Sequence, residues 1–582
     1  MRSGRATPAL AALLLVVAFL QGCGSNPPAP AAGSGDAAFR QLAGEVLEYT
    51  FKRDPSNATY LGIHRYDQLI ADYSAAAIHA DSAALKDFRT RLDGVDAQAL
   101  SLDAQLDLEQ TKHALDGMLL RNDVIRGWAR DPDLYSSGIT NDAFVMISRN
   151  FAPPEQRLSA LIAREKLMPN ALAEARRNLD DPPRVFTEIA IEQADGNRDF
   201  FADDVPAAFA AVQDPALLAE FETANRAVIA ALEDYQKWLQ SDLLPRSNGS
   251  FAYGAQTYSE VLAADEMITT PLAELLAVAQ KDLTSNQRAF AEAARKIDPA
   301  KAPAQVLAEV AKDHPPASEL LAVTQSNLDG LARFVRDKQI VDIPPAPPAR
   351  VVETPPFMRA TTSASMDIPG PFEKVATEAY FNMTLPDPAW PAREQNEFMA
   401  RWYRASISNV SVHEVWPGHY LQFLYAKDFP SDVRKVFGAA SNFEGWAHYC
   451  EQMMLDEGLH ADDPRYRLAQ LQDALLRDVR FIVGIKMHTE GMTVEQAQEK
   501  FVADAYQPES VAESEAKRGT ADATYGYYTM GKLMILKLRE DYKSKLGADY
   551  TLKNFHDTFV KLGPLPMPLV RRAMLGETGT VF

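Results

Sequence analysis

The chain has 582 residues, of which 47% are hydrophobic and 24% charged, and its formal net charge is −20. This is a globular composition with enough apolar material for a large core, which excludes a disordered or collagen-like chain. The acidic surplus disfavours nonspecific binding to phosphate backbones and offers no basic patch to anionic lipid, so no nucleic-acid partner is expected.

At the start, Arg2 and Arg5 precede an apolar run from Ala9 to Leu20, and Leu20-Gln21-Gly22-Cys23 then resembles a bacterial lipobox. Residues 1–22 therefore read as a lipoprotein signal peptide, with Cys23 as the acylated residue and 23–40 as a flexible tether rich in Pro, Ala, Gly and Ser. The expected membrane contact is this lipid anchor alone. By analogy, Gly24 after the cysteine points to the outer membrane, with the domain on the periplasmic side of the bacterial cell envelope. Cys450 is the one other cysteine, so once Cys23 is acylated no intramolecular disulfide can form and packing must supply the stability.

Residues 41–340 read as a helical region, with amphipathic stretches over Ala208–Leu239 and Pro303–Asp337. Between them, Thr270 as N-cap, Pro271 at the first position and Glu274 in the first turn predict a helix through about Ala294. Prolines break this pattern, and 341–393 reads as an extended segment in which Arg350-Val351-Val352 and Ala379–Thr384 form strands. Residues 394–582 form a second helical region, interleaved in one fold with 41–340. The expected class is mainly α with a small β element.

The second helical region contains His413-Glu414-Val415-Trp416-Pro417-Gly418-His419, followed by Glu444. Two imidazoles and one carboxylate make a catalytic zinc set that keeps a position open for water, and Glu414 is placed to take that water's proton. The histidines are six residues apart, so an unbroken helix would rotate them about 240° from each other. Pro417 and Gly418 therefore have to loop out the two extra residues as a bulge that returns His419 to the metal. Downstream, Phe443, Ala447, Cys450 and Met454 form an apolar stripe beside a polar one of Glu444, His448 and Glu451. The apolar stripe makes Cys450 a buried hydrophobe. His448 or Glu451 can hydrogen-bond a ligand histidine, and the spacing equally allows His448 to replace His419 as ligand.

The strings HEVWPGHYLQ and EGWAHYCE resemble the domain-of-unknown-function 885 family (DUF885) and, more distantly, the glutamate-zincin peptidases. Asp54-Pro55-Ser56-Asn57-Ala58-Thr59-Tyr60-Leu61-Gly62-Ile63-His64-Arg65-Tyr66-Asp67 is similar to the family's N-terminal signature. Thr524-Tyr525-Gly526-Tyr527-Tyr528-Thr529-Met530-Gly531-Lys532 is similar to its C-terminal tyrosine segment. The resemblance implies a metallopeptidase-like multi-helix fold with a long cleft and the ligands His413, His419 and Glu444. It also implies a strand beside the metal, assigned to Tyr380–Thr384, whose exposed edge pairs with substrate. Among the tyrosines it favours Tyr528 as oxyanion donor, then Tyr525. His64 and Asp67 fit structural capping as well as chemistry. The expected activity is zinc-dependent hydrolysis of short peptides. The alternatives are another metal-dependent amidase or a non-catalytic, lipid-anchored scaffold, and the sequence leaves oligomeric state open.

Overall fold

Amphipathic stretches fold into helices along most of the chain in the computed structural model, which describes residues 33–354, 359, 363–577 and 579–582. The signal peptide, Cys23 and most of the expected tether lie outside the described residues. The tether is shorter than expected, because helix α1 (Asp36–Arg53) begins within it. Phe39 starts a stripe continued by Ala43, Val46 and Leu47, and burying that stripe carries residues 36–40 into the helix.

Local chemistry sets the other helix ends. Asp54 caps α2 (Pro55–Leu61) by accepting from the Asn57 amide. The helix expected from Ala208 starts instead at α3 (Pro215–Trp238), where the Asp214 carboxylate accepts from the amides of Ala216 and Leu217. After α4 (Gly254–Glu266) comes α5 (Leu272–Ile297), whose N-cap is Pro271 with extended backbone, so Thr270 does not cap it. The Pro303–Asp337 stretch is two helices: the first ends at Val310, and Pro315 and Pro316 bar a continuous helix across the gap before α6 (Leu320–Asp337) begins.

The strands β1 (Arg350–Glu353), β2 (Ala364–Asp367) and β3 (Tyr380–Met383) form one sheet in the order β1-β3-β2. β3 runs parallel to β1, with Arg350 opposite Tyr380, and antiparallel to β2, with Ala364 opposite Met383. The expected substrate-pairing edge at Tyr380–Thr384 is therefore wrong, since β3 has a strand on each side. β2 escaped the sequence reading because Ala-Ser-Met-Asp carries no β-branched or aromatic residue.

Four more helices carry most of the candidate site: α7 (Arg404–Glu414), α8 (His419–Leu424), α9 (Ala440–Asp456) and α10 (Pro464–Thr489). The long helix α11 (Tyr527–Leu546) packs across α9. One apolar core joins Leu262 of α4, Leu283 of α5, Leu328 of α6, Phe381 of β3 and Trp446 of α9. The proline-rich segment thus divides the chain but not the packing. Two further clusters, built on residues 39–115 and 135–243, flank this core.

The N-terminal signature is a clamp. Gly62 ends α2 at φ +91, and a Cβ there would lie 2.3 Å from the Glu373 amide nitrogen. The fully buried Arg164 donates to the Asp67 carbonyl at 2.6 Å and to Thr59 Oγ1 at 2.8 Å. His64 stacks on Phe151 and places Nδ1 3.1 Å from Asp67 and Nε2 3.1 Å from Glu373, tying residues 54–67 to the approach to β3. Burial disfavours the imidazolium, but the two carboxylates outweigh it and raise the His64 pKa above its usual value. A raised folded-state pKa gives stability that is full below the unfolded value and lost as pH rises through the folded one. In denaturant unfolding, His64→Gln should therefore cost more stability below about pH 6 than at about pH 9. A cost that is flat or grows with pH would contradict this role.

Candidate metal centre

α7 ends at Glu414, and the chain turns sharply before α8 begins at His419. The amides of Val415 and Trp416 both donate to the Ser411 carbonyl, at 3.0 and 3.2 Å, and the Gly418 amide donates to Val412 at 3.0 Å. The Trp416–Pro417 peptide is cis. At Gly418 the chain passes so close to α7 that a Cβ would lie 1.8 Å from the His413 carbonyl oxygen, so only glycine fits. The expected bulge within one helix is thus a full break between two helices. Trp446 of α9 donates its indole N–H to the Pro417 carbonyl at 2.8 Å and fastens the turn.

This path brings His413 and His419 together with Glu444. Their Nε2 atoms lie 3.5 and 3.4 Å from the same oxygen, Glu444 Oε2, and the rings stand edge to face with centroids 4.8 Å apart. Among the described residues, these three side chains offer ligand atoms all within 4.8 Å of one another. Glu444 Oε2 is buried without a hydrogen-bond partner. Two imidazole nitrogens and a carboxylate oxygen converging on one point fit the donor set of a catalytic zinc.

Glu451 orients His413. His413 Nδ1 donates to Glu451 Oε1 at 2.7 Å, so the proton the ring gives up to bind a cation is the one on Nε2, the atom that faces Glu444. Asn409 at 3.1 Å and Arg477 at 3.2 Å hold the same carboxylate. His448 Nδ1 meets Glu451 Oε2 at 3.3 Å, and burial pushes its pKa down to about 3. His448 therefore pairs with Glu451 instead of Glu444, and His419 is the second histidine facing Glu444. Burial lowers the His413 pKa, but Glu444 and Glu451 outweigh that effect and raise it to about 9. The same field attracts any cation at this position. Cys450 is fully buried with Sγ 3.8 Å from the Pro417 carbonyl, and burial pushes its thiol pKa up, as suits a packing residue.

Close packing delivers the tyrosine. α9 and α11 cross at Gly445 and Gly531, where a Cβ on Gly531 would lie 2.0 Å from the Ser441 carbonyl oxygen. α11 starts at Tyr527, so Tyr528 sits in its first turn with its ring 6.4 Å from that of His413. Tyr525 does not reach the centre. It precedes the helix, is fully buried, and donates its hydroxyl to the Glu515 carbonyl at 3.4 Å.

Glu414, Tyr528 and His413 line a common cavity of about 380 Å³ with Ser363, Arg477 and Arg480. Burial pushes the Glu414 carboxyl pKa up, and Glu444 adds to the rise against the opposing histidines. The sequence reading missed Asp473, Arg477 and Arg480. Their spacing puts them on one stripe of a helix that is otherwise largely apolar, a signal that charge does not belong there without a partner. Arg480 finds its partner in Glu515, through two bonds of 2.6 Å.

The chain belongs to the family described as "Bacterial protein of unknown function (DUF885)", whose model matches residues 55–574. A solved structure from Shewanella oneidensis, described as a "putative lipoprotein of unknown function", is 27% identical with a TM-score of 0.79, over 92% of this chain and 99% of that one. A second, a "putative lipoprotein" from Colwellia psychrerythraea, is 17% identical with a TM-score of 0.80, over 93% and 99%, and shows the shared fold. No curated protein matches. No helix among the described residues is long and apolar enough to cross a membrane.

Loaded with zinc and dialysed, the protein should retain about one ion per chain. His413→Ala, His419→Ala and Glu444→Ala should each weaken binding by more than 10-fold, whereas His448→Ala should keep the ion. Elemental analysis with competing chelator distinguishes these, and loss of zinc in His448→Ala alone would overturn the assignment. Gly531→Ala should destabilise the fold by about 1–3 kcal/mol through overpacking of the α9–α11 crossing, read by denaturant unfolding.

Proposed function

We propose that the protein is a zinc-dependent amide hydrolase, a peptidase acting on short peptides. The observation that carries this reading is the convergence of His413, His419 and Glu444 beside a cavity shared with Glu414. Zinc bound there would supply Lewis acidity and lower the pKa of a water molecule. Glu414 adjoins the first ligand in sequence and, with its raised pKa, takes the water's proton as general base and passes it to the leaving amine. The Tyr528 hydroxyl donates to the oxyanion that forms as water adds to the amide carbon. Arg477 and Glu451 hold His413 in the tautomer that leaves Nε2 free. The description of the Shewanella oneidensis structure as a putative lipoprotein supports a lipid-anchored protein, and the N-terminal sequence makes Cys23 the proposed acylated residue, with the domain on the periplasmic side of the outer membrane.

Glu414→Gln keeps the size of the side chain but cannot accept the proton. It should retain zinc and lose peptide hydrolysis by on the order of 100-fold or more. Full turnover in this variant would assign the base elsewhere, and metal retention without peptide hydrolysis in the wild type would favour a non-catalytic scaffold.

A further inference from the structure

Three arginines line the cavity beside the metal centre, and only Arg477 has a part in holding His413. Arg480 comes from the same helix, and Arg518 from the helix Glu509–Ala521. The guanidinium carbons of Arg477 and Arg480 lie 5.4 and 5.2 Å from the centroid of the Tyr528 ring, and Arg518 donates to the Tyr528 hydroxyl. Three cations thus face one tyrosine in the cavity that also holds Glu414.

The carboxylates nearby do not use up the donors. A guanidinium carries five N–H donors in a planar fork. Glu515 accepts from Nε and Nη2 of Arg480 at 2.6 Å each, and Asp522 accepts from Nε and Nη2 of Arg518 at 3.2 and 2.9 Å. Neither pair uses Nη1. The other lining acids are also engaged, Glu451 by His413 and Arg477, and Asp473 by Asn409 at 2.6 Å. Of the described residues that line the cavity, two have a buried polar atom without a hydrogen-bond partner, Arg477 at Nε and Trp402 at Nε1, and both atoms are donors. Trp402 is only 2% exposed. A buried donor without a partner is costly, so the cavity is built for a ligand that accepts hydrogen bonds. An ionised carboxylate only accepts, and its two oxygens match the guanidinium fork. The volume of about 380 Å³ is at the small end of the range for ligand sites, which suits the end of a chain rather than a long run of residues.

We propose that this cavity holds the terminal carboxylate of a peptide, so that the protein is a carboxypeptidase releasing one or two residues from the C-terminal end. The reaction rests on the peptidase reading, whereas the carboxylate pocket stands on the three arginines and Trp402. Water breaks the amide C–N bond: its oxygen stays on the carbonyl carbon as the new carboxylate, and its proton leaves on the amine of the released residue.

The test uses full-length Glu414→Gln protein and three N-acetylated tetra-alanine peptides: the free acid, the C-terminal amide, and the amide with glutamate as its last residue. Calorimetric titration should show the free acid binding about 10-fold tighter than the plain amide, both with zinc bound and after its removal by chelator. Adding Arg518→Gln, which removes one cation, or Arg480→Lys, which keeps the charge but loses the fork, should narrow the difference to about 3-fold or less. Equal binding of acid and amide, or a difference that survives both arginine variants, would overturn the proposal. So would a difference that disappears with the zinc, which would put the carboxylate on the metal, or a glutamate amide that binds as tightly as the free acid, which would make a side chain the ligand. Hydrolysis by the wild type tests the peptidase reading separately. Cleavage of acid and amide at equal rates removes the carboxypeptidase assignment alone, and the binding preference without cleavage of either removes the catalysis alone.

Discussion

The candidate centre depends on stopping a helix at one place. A regular helix would carry His419 about 240° away from His413, so the two rings face one oxygen only because α7 ends at Glu414. The stop is steric. Gly418 lies against the backbone of residues 412 and 413 where no side chain fits, and Pro417 cannot offer the amide that another turn of helix needs. Trp446 then binds the Pro417 carbonyl from the helix that carries Glu444. One turn thus sets the relative positions of three helices and of the three side chains they present.

Around this turn, burial and charge work against each other, and the outcome differs from residue to residue. Glu444 and Glu451 are held well below the usual carboxylate range despite burial, because histidines face the first and Arg477 and the histidines face the second. Glu414 lacks enough compensation, and burial raises its pKa. Carboxylates within one site are thereby separated into those that stay ionised as candidate ligand and anchor and one suited to exchange protons. A buried charge that loses its partner is strongly destabilising, so Arg477 and Glu451 form a supporting layer that tolerates little change.

Much of this was legible in the sequence, for identifiable reasons. The histidines, Glu414 and Glu444 announce themselves by residue type and spacing, and Glu451 by its place on the same helix face. Helices dominate because apolar periodicity is strong over long stretches. The form of the break was not legible: a proline and a glycine permit a bulge or a full stop equally, and only the close approach at Gly418 decides. Tyr525 and Tyr528 look alike in sequence, but the helix start between them sends one ring into the core and the other to the centre. Arg477 was missed because its partners come from α7 and α9, far away along the chain. β2 and the central place of β3 depend on pairing across the sheet, which short runs do not encode.

The central claim is that a broken helix makes one zinc site from His413, His419 and Glu444. X-ray absorption at the zinc edge of the loaded protein measures this most directly. The account predicts a first shell of nitrogen and oxygen at about 2.0–2.2 Å, with outer scattering from two imidazoles and no sulfur. A zinc–sulfur distance of about 2.3 Å, which would bring Cys450 into the shell, or the scattering of three imidazoles, which would bring in His448, would contradict it.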